Sequence, residues 1–165
     1  MSATLQYIES LSRLKTGELG LLRTHAGQGL DESVEAFDLF AGLWWPLRQK
    51  NERAPRREVA WLIAKLYAFR PIPQSPGDTL ARQLQRCRRD PAKPQRQQQK
   101  FDELLLLPLH KIEPALQWAL DLVASNDLNL DWVKLTDDLS IWERDSTRLK
   151  WAKQFLPIDQ GGQPC

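Results

Sequence analysis

The stretch "PRREVAWLIAKLYAFRP", residues 55–71, returns Val59, Leu62, Ile63 and Leu66 at three- and four-residue steps between two prolines. That rhythm places the apolar side chains on one stripe of a helix, while Pro55 suits a first turn and Pro71 a stop. Similar spacing recurs along nearly the whole chain, and the short alternating runs rich in Val, Ile and Thr that build sheets are absent. The expected fold is all-α, a helical bundle made of two small bundles of several helices each.

Local signals set the elements. Tyr7, Leu11 and Leu14 share one face, and the next segment offers Thr16 as a cap, an acid at the third position and a glycine stop, which reads as a helical hairpin. In "DESVEAFDLFAGLWWP", Val34, Phe37, Leu39 and Phe40 lie near one side, and the helix is expected to end at Trp44, Trp45 and Pro46. "PIPQSPG", residues 71–77, must be a loop. Asp78 or Thr79 caps "TLARQLQRCRR", which turns Leu80, Leu84 and Cys87 inward and sets Arg82, Arg86 and Arg89 on another face.

Beyond the break "DPAKP", helices are expected over "QRQQQKFDELLLL" as far as Pro108, and from about Pro114 with Leu116, Leu120 and Val123 inward. Another starts at a capping Asp131, with Trp132, Leu135, Leu139 and Trp142 as its stripe. The last packs Trp151, Ala152 and Phe155. Trp61, Trp118, Trp132, Trp142 and Trp151 fall in or beside apolar stripes and read as core; Trp44 and Trp45 stay open. The break divides the chain into an amino-terminal bundle, residues 1–92, and a carboxy-terminal bundle, residues 93–165, with a loose tail from about 157.

Several function classes are disfavoured. The longest strongly apolar run, "LLLLPL" at residues 104–109, is far short of the roughly 20 residues that span a bilayer. The amino terminus lacks the apolar stretch of a signal peptide. Cys87 and Cys165 have neither metal-ligand spacing nor the look of a structural disulfide, which favours a reduced, cytoplasmic setting. His25 and His110 stand alone, and the adjacent Asp137 and Asp138 point about 100° apart on a helix. There is no phosphate-cradling glycine loop, nucleophile elbow, HExxH or paired CxxC. Binding is therefore favoured over catalysis, with no metal, cofactor or small-molecule substrate expected; a hydrolase using Asp137 or Asp138 with a metal is the least favoured reading.

The formal net charge of +2 conceals a segregated distribution. Residues 82–100 hold Arg82, Arg86, Arg88, Arg89, Lys93, Arg96 and Lys100 against Asp90 alone, and residues 48–57 add Arg48, Lys50, Arg53, Arg56 and Arg57 against Glu52. Acids dominate residues 113–145. One end of the molecule thus attracts phosphate, although a single basic run is as often a solvated helix face. Zinc-finger spacing, a basic zipper and RNP aromatics are lacking, so the charge is expected to grip backbone instead of reading base edges. The competing reading is an all-helical protein-interaction adaptor without nucleic acid, with Trp44 and Trp45 as an apolar anchor.

The carboxy-terminal half resembles the CasB family, the small subunit of the type I-E CRISPR Cascade surveillance complex. The likeness rests on Phe101 and the leucines after it, Leu116, the "LDW" entry at Leu130 to Trp132, Leu135, Asp138, Leu139, Trp142, Arg148, Trp151 and Phe155. The amino-terminal half agrees more loosely, through the helix of residues 58–71 and "TLARQLQ". The resemblance implies an all-helical, non-enzymatic subunit present as a pair of copies beside other Cascade subunits. It implies binding of guide RNA and target DNA, including the displaced single strand, in antiviral defence, with sequence choice left to the guide. Arg82 and Arg148 match basic family positions. Arg53, Arg56, Arg57, Arg86, Arg88, Arg89, Arg96 and Lys100 join the expected nucleic-acid-binding set from the charge argument, in which Arg82, Arg86 and Arg89, continued by Arg88, Arg96 and Lys100, form a phosphate track. Gln117 stands where relatives often carry a base, so no basic site is transferred there.

Overall fold

The structure, a computed structural model, describes residues 2–87 and 94–156. In chain order the helices are α1 (Ala3–Ser12), α2 (Thr16–Thr24), α3 (Val34–Lys50), α4 (Arg57–Phe69), α5 (Leu80–Arg86), α6 (Pro94–Leu106), α7 (Glu113–Ser125), α8 (Trp132–Ser140) and α9 (Asp145–Phe155). Short 3-10 turns at Leu30–Glu32 and Leu109–Lys111 precede α3 and α7. Among the described residues there is no strand; an isolated parallel bridge joins Gln74 to Leu130. The all-α expectation holds.

Helix α4 is the centre. Every residue from Val59 to Ala68 is buried, and α2, α3, α7 and α8 pack around it. A helix apolar on most sides has to be enclosed, because each large aliphatic side chain withdrawn from water contributes about 1.5–3 kcal/mol. Tyr7 of α1 reaches in and donates its hydroxyl to the Ala60 carbonyl at 2.6 Å. Leu66, Leu84, Leu120, Trp142 and Phe155 belong with Tyr7 to one continuous apolar cluster.

The tryptophans act as pins as well as filler. A buried indole N–H needs an acceptor, and most of those found here are loop or helix-end carbonyls. Trp132 donates to Ile72 (2.7 Å), Trp142 to Leu107 (2.8 Å), Trp61 to Gln28 (3.0 Å) and Trp44 to Pro55 (2.6 Å). Connections that propensity leaves undefined are thereby tied to the core. Trp142 and Trp151 meet edge to face at 4.9 Å, and Phe101 stacks on Phe155 at 3.9 Å, joining α6 to α9.

Four local expectations are corrected. Helix α3 runs through Pro46 to Lys50. Gly42, whose carbonyl loses its helical donor at Pro46, is exposed to water, and Arg48 ties the helix end to the Glu52 and Ala54 carbonyls. The buried face of α3 carries Ala36 and Phe40, backed by Leu39, Leu43, Trp44 and Leu47, while Val34 and Phe37 are 79% and 41% exposed. Two apolar stripes compete on this helix; the one containing small Ala36 packs inward. Lys15, not Thr16, is the N-cap of α2, its N–H donating to the Glu18 carboxylate at 2.9 Å. Helix α5 stops at Arg86 with Cys87 as its C-cap, earlier than the expected Arg89. Arg88, Arg89, the boundary at 92 and the tail from 157 lie outside the described residues.

Candidate functional site

Helix α5 lies against α9, which follows it by some sixty residues. Leu80 and Leu84 of α5, and Trp151 and Phe155 of α9, are buried. Burying these stripes turns the opposite sides to water, and the polar seam closes where Thr79 donates to Gln154 at 3.2 Å.

Along this seam runs an open groove of about 330 Å³, lined by Arg82, Gln85, Arg86, Lys150, Lys153, Gln154 and Leu156. Four cationic side chains from two helices converge there, and among the described residues no acid lines the groove. Arg82 and Arg86 are one helical turn apart, as are Lys150 and Lys153, so each helix presents a row. Among the described residues Arg82 and Lys153 form no ion pair. Arg86 donates to Gln83 at 2.7 Å and lies 3.5 Å from Asp78, and Lys150 is held by Asp138 at 3.0 Å. With Arg82 and Lys153 unpaired beside two cations that acids outside the groove hold, the seam keeps a local positive potential that a phosphate chain relieves. Lys150 and Lys153 escaped the sequence reading, although their spacing opposite Trp151 and Phe155 in "LKWAKQF" is the signal that finds them.

The other expected residues are distributed elsewhere. Arg53 and Arg56 line a cavity of about 260 Å³ with Arg48, Thr4 and Asp137. There Arg56 is largely committed, donating to the Ser140 carbonyl at 2.8 Å and lying 3.6 and 3.7 Å from Glu58 and Glu143. Arg57 and Arg148 line a third cavity. Arg96 is exposed on α6, and the Lys100 ammonium sits 5.4 Å from the Trp118 ring centre. The structure therefore brings together Arg82 and Arg86, Arg53 and Arg56, and Arg57 and Arg148, in three separate cavities, of which the first alone has no acid among its described lining residues.

The candidate catalytic groups are occupied otherwise. His25 caps α2, with Nδ1 2.9 Å from the Leu21 carbonyl. Asp137 accepts from the Thr4 hydroxyl at 3.1 Å, and burial raises its pKa above the ordinary carboxylate value. Asp138 faces α9 and accepts from Trp151 and Lys150. The two carboxylates thus serve different partners. Among the described residues no three His, Cys, Asp or Glu gather as metal ligands, and no helix is long and apolar enough to cross a membrane.

Comparison with known proteins bears on this geometry. Residues 18–156 match a protein family described as CRISPR-associated protein Cse2. No curated protein sequence matches significantly. Among solved structures, CasB of M. ruber is similar with a TM-score of 0.73 at 21% identity, covering 93% of this chain and 92% of that one. A Cse2-family CRISPR-associated protein of Thermus thermophilus has a TM-score of 0.70 at 25% identity, over 94% and 98% of the two chains. CasB of Thermobifida fusca gives 0.71 at 14% identity, over 93% and 97%.

Proposed function

The chain belongs to the CRISPR-associated Cse2 family, also called CasB, the small subunit of the type I-E CRISPR Cascade complex, and from that premise we propose that it is a non-enzymatic clamp on nucleic-acid backbone. It holds target and displaced DNA strands beside the guide RNA without sequence preference, and so prolongs the R-loop in antiviral defence. Its partners are the other Cascade subunits, a second copy of itself and the nucleic acids; its setting is the cytoplasm.

The observation that carries this reading is the α5–α9 groove, where Arg82, Arg86, Lys150 and Lys153 converge and, among the described residues, no acid joins the lining. Phosphate spacing along a strand is regular, so rows of Arg and Lys at helical intervals suffice, and base pairing with the guide supplies specificity. Val34, Phe37 and Trp45, 79%, 41% and 51% exposed on α3, favour a protein-contact role for that helix, the reading of the chain as an adaptor.

The two readings separate on salt. Single-stranded DNA of about 30 nucleotides is titrated into the protein, free and assembled in Cascade, at several salt concentrations. Replacing Arg82 and Lys153 by Ala should flatten the log–log salt slope by about 1.4, at about 0.7 per lost phosphate contact. Arg56→Ala, which removes a guanidinium already engaged with Ser140 and two glutamates, should flatten it less than either single groove variant. An unchanged slope and affinity for the double variant in the assembled complex would leave the adaptor.

A further inference from the structure

The largest of the three cavities that hold expected basic residues is a separate feature. It measures about 580 Å³, within the range that encloses a small organic ligand, and is bounded by α4, the turn at residues 27–30, the 3-10 turn after Pro108 and Arg148 of α9. At about 100° per residue, Arg148 lies roughly 200° around α9 from Lys150, so the cavity and the basic groove fall on different sides of that helix.

Its wall is held in place before any ligand arrives. The Gln28 carbonyl accepts from the Trp61 indole at 3.0 Å and from Lys65 at 2.8 Å. Glu113 accepts from Lys65 at 2.7 Å and from the Gly27 N–H at 2.9 Å. These bonds clamp the turn onto α4 and α7, and the buried Lys65–Glu113 pair is internally neutral. Leu30, Leu62 and Leu109 supply apolar walls.

The rim alternates in sign, Arg57 and Arg148 against Glu58 and Glu143, the two carboxylates also facing Arg56 at 3.6 and 3.7 Å from outside the lining. Arg148 is oriented by donating Nε to the Trp142 carbonyl at 3.1 Å, with its guanidinium over that ring at 5.4 Å. Matched charges give no preference for a phosphate chain inside the cavity. They suit instead a flat, neutral group with apolar faces and an edge carrying both donors and acceptors. A nucleobase has that chemistry: arginine donates to ring nitrogens and carbonyls, and carboxylates accept from amino groups.

We propose that this cavity receives one unstacked nucleobase of a bound single strand, an inference that rests on the backbone-binding reading. A strand so held is fixed against sliding, which phosphate contacts alone do not achieve.

The test separates base from backbone. A twelve-unit phosphodiester chain of abasic tetrahydrofuran spacers is compared with the same chain carrying one central guanine, adenine, cytosine or thymine. At least one single-base chain should bind about tenfold tighter than the spacer chain, the scale of one accommodated base. Gly29→Trp should erase that gain and leave spacer binding unchanged. Gly29 lines the cavity, its φ of −72° suits any residue, and a Cβ there meets open space. Exposed Arg57→Gln, which leaves the walls intact, should reduce the gain as a second check. Equal binding of all five chains overturns the cavity proposal while the backbone reading stands, as does a base gain that survives both variants. A single-base chain that binds when the spacer chain does not would count against the backbone reading alone. If nothing binds at low salt, to free protein or assembled complex, both fall.

Discussion

Asp138 accepts the indole N–H of Trp151 at 2.8 Å in a site where the aspartate is 3% exposed. Its other oxygen takes the Lys150 ammonium at 3.0 Å, with Lys134 at 3.6 Å. One side chain of α8 thereby fixes both the buried and the basic face of α9. Asp138→Ala would leave a buried donor without a partner and release Lys150, so it should cost about 2–3 kcal/mol, read as the shift in a urea unfolding curve. Asp138→Asn keeps an acceptor and should cost less. A loss for the alanine variant within about 0.5 kcal/mol, the range of ordinary surface changes, would show that the bond does not hold the helix.

Lys65 and Glu113 form the most buried ion pair among the described residues, 2.7 Å apart with side chains 5% and 12% exposed. Glu113→Gln strands an ammonium between Trp61 and the Gln28 carbonyl and should lower stability by about 3 kcal/mol. Adding Lys65→Met removes the stranded charge, so the double variant should recover part of that loss. A double variant less stable than the single would mean that packing, not charge, sets the cost.

Asp137 gives a pH dependence of defined sign. Burial holds its folded-state pKa above the value it has in the unfolded chain, so the native state binds this proton more tightly. Its contribution to stability is therefore fully present below the unfolded pKa and is lost as pH rises through the raised, folded one. Asp137→Asn, which can still accept from Thr4, should match the wild type at the acidic end of that window. It should become the more stable of the two as pH rises toward neutrality. Melting curves of both proteins across the mildly acidic range check this, and a difference that does not change with pH would contradict it.

Much of the molecule is legible residue by residue. The stripe of α4, the inward Leu80 and Leu84 of α5 with Cys87 at its cap, the Asp131 cap, and the Trp132, Leu135 and Leu139 stripe of α8 follow from spacing and capping chemistry. So do Arg82 and Arg86 as one row. Helix α3 shows the limit, because Val34 and Phe37 satisfy a helical period as well as Ala36 and Phe40 do, and only the neighbours choose between the stripes.

What the sequence alone determined is the helical character of the chain and the inward stripes of helices such as α4 and α5, since those depend on contacts three or four residues apart. Which helices meet was decided by tertiary structure. Arg82 and Lys153, or Arg57 and Arg148, share a cavity because Trp151 and Phe155 fill space beside α5, α6 and α8, and because buried indole donors had to find distant carbonyls and Asp138. Such fits depend on the shapes and hydrogen-bonding needs of side chains far apart in the chain, which no local period records.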